Sequence, residues 1–144
     1  MEEIINLYKS FSKYQNYTYE ELQQHIEPSI KLNQYKIFKQ NNKVIAFSNW
    51  AFFDKESENK FLKTKEIENY MWNSGNIVWI NDVLSLGKGT EMANWLRKKF
   101  KKFMWLRSDN NWNFYRIGKD INWIRIKDNK IVRIVTRTTK ESWL

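Results

Sequence analysis

The chain has 144 residues, which is one ordinary domain with no room for a second core. Hydrophobic residues make up 42% and aromatics 17%, too many for a disordered chain, and zero cysteines exclude a disulfide framework, a thiolate zinc site and a cysteine nucleophile. Lys and Arg number 25 against 16 for Asp and Glu, a formal charge of +9 that favours an anionic partner; a single histidine, His25, argues against a histidine-built metal centre.

In chain order, the start MEEIINLYKS lacks a basic segment followed by an apolar one, so it does not read as a secretory signal. Ile4, Leu7, Tyr8 and Phe11 fall on one helical face. Thr18 and Glu21 have capping-box spacing, and the helix they open is expected to stop before Pro28. Tyr35 to Gln40 alternates as a strand, turns at Asn41-Asn42, and returns as Lys43 to Trp50. Asp54 to Glu58 reads as a polar loop, and Asn59 to Tyr70 as a helix. Ile77 to Leu86 (IVWINDVLSL) is a buried strand interrupted by Asn81 and Asp82. After Gly87-Lys88-Gly89-Thr90, the apolar stripe Met92, Trp95, Leu96, Phe100, Phe103 and Met104 predicts one long helix. Ile121 to Lys127 and Lys130 to Arg137 flank Asp128-Asn129 as a hairpin. No apolar run nears the roughly 20 residues of a bilayer span, so a soluble, cytoplasmic protein without a membrane span is expected.

Two features carry chemistry. A strand that runs through Gly87-x-Gly89 into a helix lets the backbone approach a phosphate, with Gly87, Gly89 and Thr90 as its candidate binding residues. The ordinary reading is a tight turn that uses glycine for its backbone freedom. Asp82 is a carboxylate inside an apolar strand; it is paired, protonated or functional, because burying it alone is costly. The alternative is a strand-end carboxylate that faces solvent. Asn81 beside it could offer an amide to an oxyanion. His25 lies in the polar stretch EELQQHIE, where a solvated surface imidazole is the plain reading. Arg97, Lys98, Lys99, Lys101 and Lys102 form the strongest basic run, either the wet side of a helix or a docking patch for an acidic carrier or anionic ligand. Trp79 and Trp95 fit the core, while Trp112, Trp123 and Trp143 could stack on a planar ligand.

The stretch from Pro28 to Phe100 resembles the toxin-activating lysine acyltransferases that partner RTX hemolysins. The matching pieces are PSI…NQY (Pro28 to Tyr35), VIAFSNWA (Val44 to Ala51), WNSGNIVWIND (Trp72 to Asp82) and LRKKF (Leu96 to Phe100), in the family's order. The resemblance implies an α/β (α+β) fold like the N-acetyltransferases: one domain over residues 1–144, with a mixed twisted sheet and helices on both sides. It implies acyl transfer onto a protein toxin from an acyl carrier protein, in the cytoplasm, by a homodimer or with a second subunit, and no tightly bound cofactor. It also implies a histidine–aspartate active site. The aspartate falls on Asp82, counted from Trp79, and on Asn81 when counted back from Gly87. The histidine falls on Tyr14 in Tyr14-Gln15-Asn16-Tyr17, His25 being too close to Pro28 to fill that place without a gap.

A tyrosine, with an ordinary pKa near 10, is a poor base at neutral pH. The small, basic, tryptophan-rich chain is similar in kind to a bacteriocin branch of the family. That branch joins a microcin precursor peptide, through its C-terminal carboxyl, to a glycosylated catecholate siderophore, working with a partner subunit. The first expectation is therefore microcin maturation with an activated peptide as acyl donor. Arg97 and Lys98 would bind substrate, and Asp82, Tyr14 and His25 are the candidate catalytic residues. The alternatives are acyl-carrier-dependent lysine acylation of an RTX toxin, and a catalytically degenerate subunit that presents substrate. Nucleic acid is disfavoured as a partner, because the basic residues are spread along the chain without an RNA-binding signature.

Overall fold

The computed structural model describes residues 1–100, 103–107, 113–117, 122–127 and 130–136, with side chains through residue 104. Among them, seven strands form one sheet in the order β1 to β7. Helix α1 (Glu2–Lys9) carries Glu2 and Glu3 in its first turn, where they interact favourably with the positive end of the helix dipole, and buries Ile4, Ile5, Leu7 and Tyr8. A 3-10 turn, Ser12–Tyr14, follows. Helix α2 (Tyr19–Lys31) opens on the Thr18–Glu21 capping box.

Pro28 does not end α2, contrary to expectation. Proline removes one hydrogen bond and disfavours helix in the residue before it. Here the next turn is held by tertiary contacts: buried Ser29 donates from Oγ to the Ile26 carbonyl at 2.8 Å and accepts from Asn49 Nδ2 at 3.0 Å.

Strands β1 (Tyr35–Gln40) and β2 (Lys43–Phe53) form the expected hairpin. Asn41 and Asn42 have φ values of 53° and 65°, the left-handed pair that a two-residue hairpin turn needs. Helix α3 runs from Lys55 to Thr64, earlier than the expected Asn59 to Tyr70, and the expected loop at Asp54 to Glu58 is its first turn. Asp54 is the N-cap, accepting from the Ser57 N–H at 2.7 Å, and Lys65 ends the helix in a left-handed conformation. A second 3-10 turn, Asn69–Met71, leads to β3 (Ile77–Ser85).

Helix α4 (Gly89–Lys99) is shorter than its apolar stripe predicted. Phe100 is already extended, and Phe103 and Met104 belong to β4 (Phe103–Arg107). Apolar spacing alone cannot separate a helix from a short connection followed by a buried strand. Because α4 crosses over between them, β3 and β4 pair in parallel, at Trp79 with Met104 and Ile80 with Trp105. Strands β5 (Asn113–Ile117), β6 (Asn122–Lys127) and β7 (Lys130–Thr136) complete the sheet with antiparallel pairings. The last hairpin falls where the sequence placed it; Asp128-Asn129, Lys101, Lys102, Trp112, Trp143 and the Trp123 side chain lie outside the described residues.

The result is a single α+β domain with a mixed sheet and helices on both faces. On one face, α1 and α2 pack Tyr8, Leu22 and Ile26 on Phe47 and Leu84. Helix α3 extends that layer with Phe61 against Phe53 and Trp79. On the other face, α4 sets Met92 and Leu96 against Trp50 and Ile80. Trp79 is fully buried, as expected of a core tryptophan, whereas Trp95 is half-buried and packs against Trp50. Among the described residues, no helix is long and apolar enough to cross a membrane.

Candidate active site

Strand register decides where Asp82 points. Ser48 of β2 pairs with Val83 and Trp50 pairs with Ile80, so Asn49 alone opposes both Asn81 and Asp82. That extra residue is a β-bulge, and a bulge exchanges the faces to which later side chains point. Ile80 packs in the layer beneath α4, whereas Leu84 packs in the layer beneath α1 and α2. Regular alternation would place Ile80 and Leu84 on the same face. The bulge turns Asp82 toward α1 and α2 instead.

The backbone group freed by the bulge is recaptured by a side chain. The Asp82 N–H donates to Asn49 Oδ1 at 2.9 Å, and Asn49, itself fully buried, donates on to Ser29 of α2. Asn49→Ala leaves a buried N–H unpaired, and we expect it to lower the unfolding free energy by roughly 2 kcal/mol. Urea unfolding checks this; an unchanged midpoint would mean the bulge holds without Asn49.

Three donors converge on the Asp82 carboxylate. Tyr8 of α1 donates its hydroxyl to Oδ2 at 2.6 Å, Tyr14 of the first 3-10 turn donates to Oδ1 at 3.2 Å, and His25 Nε2 lies 2.7 Å from Oδ2. The rings also pack on one another, with centroids 5.0 Å apart for Tyr8–Tyr14, 5.9 Å for Tyr8–His25 and 6.0 Å for Tyr14–His25. Asp82 is 9% exposed and the His25 side chain 34% exposed, so the carboxylate is sealed while the imidazole reaches solvent. A carboxylate on Nε2 fixes that nitrogen as the protonated one and leaves Nδ1 as the basic atom.

The electrostatics follow from this geometry. Burial works against the His25 imidazolium, but the hydrogen bond and charge of Asp82 outweigh it and raise its pKa, with Lys13 pulling the other way. Burial likewise works against the Asp82 carboxylate, yet His25, the Tyr8 hydroxyl and Lys13 together hold its pKa below the ordinary value. Both tyrosines are pushed well above their usual range by burial and by the Asp82 charge.

These shifts link folding to pH. The raised His25 pKa stabilises the fold fully below the imidazole's unfolded value of about 6.5 and is lost as pH rises through the folded value. The lowered Asp82 pKa stabilises above its unfolded value of about 3.8 and is lost as pH falls through the folded value. The melting-temperature gap between the wild type and His25→Gln should therefore be widest between about pH 4 and 6.5 and narrow on either side. Thermal unfolding followed by circular dichroism reads it; a gap that widens above pH 8 would contradict the ion pair.

His25 and Asp82 are among the residues lining an open cleft of about 740 Å³, bounded by the segment around Tyr14, by α2 and by the chain that follows α3. Tyr14, Tyr17, Pro28, Ile67 and Trp72 give it apolar surface, while Lys13, Glu21, Lys65 and Glu66 give it charge. The structure thus brings Tyr14, His25, Asn81 and Asp82 to one place. His25 is not the solvated surface imidazole that its polar helix suggests. Gly87, Gly89, Thr90, Arg97 and Lys98 do not line this cleft; they lie beyond β3 and along α4. Gly87 takes a φ of 88°, the backbone freedom of a tight turn. Sequence reasoning missed Tyr8, visible only as a core position, and Asn49, whose use appears only once β2 and β3 are paired.

Comparison with known proteins adds a family. Residues 1–117 match the model of the HlyC, RTX toxin acyltransferase, family. The RTX-II toxin-activating lysine-acyltransferase ApxIIC of Actinobacillus pleuropneumoniae is 26% identical over 96 residues, covering 65% of this chain and 60% of that protein. The protein-lysine myristoyltransferase HlyC of Escherichia coli is 30% identical over 81 residues, covering 55% of this chain and 47% of that protein. The chain spans about half the length of these curated relatives.

Proposed function

Because the chain belongs to the RTX toxin acyltransferase family, we propose that it transfers a fatty acyl group from a carrier thioester to a lysine side chain of a protein toxin. The observation that carries this reading is the His25–Asp82 pair, 2.7 Å apart in the lining of an open cleft. His25 Nδ1 takes a proton from the lysine amine as nitrogen attacks the thioester carbonyl. The tetrahedral intermediate then collapses: the C–S bond breaks, and the imidazolium returns its proton to the leaving thiolate. Asp82 keeps Nε2–H in place and stabilises the transient imidazolium. Asn81, on the same wall, is placed to offer an amide to the oxyanion.

The microcin reading arose from an active-site histidine replaced by Tyr14. An imidazole on Asp82 from another helix supplies the missing base, so we place lysine acylation first. Incubation with acyl carrier protein thioester and a candidate RTX toxin, read by intact mass and peptide mapping, tests the choice. A lysine carrying the acyl mass is expected. Modification at a peptide C-terminus would favour the siderophore–microcin reaction, and no transfer with either substrate would favour a presenting subunit.

A further inference from the structure

We propose that Tyr8 and Tyr14 are positioning residues of this site, which divide the Asp82 carboxylate with His25 and thereby lessen the stabilisation it gives the imidazolium. The inference rests on the acyl-transfer reading for its consequence, but on geometry for its substance. A carboxylate bound to one imidazole alone concentrates its charge on that partner and makes the imidazolium slow to give up its proton. Here Tyr8 competes with His25 for the same oxygen, Oδ2, and is the shorter of the two phenol contacts at 2.6 Å. Tyr14 draws on the other oxygen at 3.2 Å. Neither phenol can neutralise the carboxylate by yielding its own proton, because burial and the Asp82 charge both oppose a phenolate. They remain donors over the whole working range of pH.

The tyrosines come from α1 and the following 3-10 turn, whereas His25 comes from α2. The imidazole therefore packs against two mutually contacting tyrosine rings from separate elements as well as sharing its partner with them. Other charges face the same space: Lys13 beside Tyr14, Glu21 on α2, and Lys65 and Glu66 after α3. None of these is removed by a tyrosine-to-phenylalanine change, so such a change isolates the effect of the phenol.

His25 is the only histidine in the chain, so its ring protons report its titration without assignment ambiguity. In Tyr8→Phe and Tyr14→Phe, NMR titration should show the His25 midpoint moving upward by roughly half a unit to one unit, with Tyr8→Phe the larger. The turnover of Tyr14→Phe near neutrality should fall roughly three- to tenfold and recover at alkaline pH, with KM for the acyl donor unchanged. An unmoved or lowered midpoint in Tyr14→Phe overturns the proposal whatever the activity, and that variant decides alone should Tyr8→Phe fail to fold. A raised midpoint without the matching change in pH–rate profile would leave the sharing intact and overturn His25 as the base, so the two readings fail separately.

Discussion

Asp82→Asn should fold, bind its substrates and transfer acyl groups at least about a hundredfold more slowly, an effect of the size expected when an acid–base pair is broken. Asparagine keeps the shape of the side chain, and its amide oxygen can still accept up to two hydrogen bonds, while the backbone bond to Asn49 is untouched. It cannot accept all three that reach the carboxylate from Tyr8, Tyr14 and His25. More important, the charge that stabilises an imidazolium is gone, so His25 becomes a weaker base at the moment the amine attacks. A hundredfold loss corresponds to about 2.7 kcal/mol of transition-state stabilisation. The fold should suffer much less, because the change also removes a buried charge whose desolvation offsets much of what its partners supply. Rates from intact-mass time courses, with circular dichroism as the folding control, separate the two effects. Full turnover in this variant would make the carboxylate a structural group.

What could be read from the amino-acid chain follows the range of the forces involved. Asp82 was visible because a carboxylate amid Ile, Val, Trp and Leu conflicts with its neighbours, and that conflict is local. The direction in which it points was not, since it depends on a bulge that exists only when β2 and β3 are paired around Asn49. His25 was misread for the same reason: its own helix is polar, and the partner that defines it lies 57 residues away. The persistence of α2 past Pro28 likewise depends on Ser29 meeting Asn49. The Asn41-Asn42 turn and the Thr18–Glu21 capping box, which involve residues close in the chain, were legible, whereas the Asp54 cap was read as loop. The family's collinear segments pointed to a mixed α+β sheet, which the fold has, and to Asp82, and counting along them put Tyr14 at the family's histidine position. Three-dimensional contact shows that Tyr14 and His25 address the same carboxylate from different elements.

That convergence makes His25→Gln the decisive variant. If His25 is the base, the substitution should lower kcat/KM by roughly two to four orders of magnitude near neutrality and abolish the pH inflection of the wild-type profile. In the wild type, activity should rise as the imidazolium loses its Nδ1 proton, and the midpoint should lie above 6.5 because the Asp82 hydrogen bond and charge stabilise the imidazolium. In Asp82→Asn the residual activity should show the midpoint displaced downward, since the charge that raised it is gone. Tyr14 offers the competing assignment, as it stands at the position matched to the family's histidine. Its hydroxyl, however, is already committed to Oδ1, and burial together with the Asp82 charge pushes its deprotonation beyond the usual tyrosine range. A tyrosine base would give a profile that still climbs at strongly alkaline pH and would survive His25→Gln. The same measurement, a kcat/KM profile across pH for the wild type and this one variant, therefore distinguishes an imidazole base on α2 from a phenolate base at Tyr14.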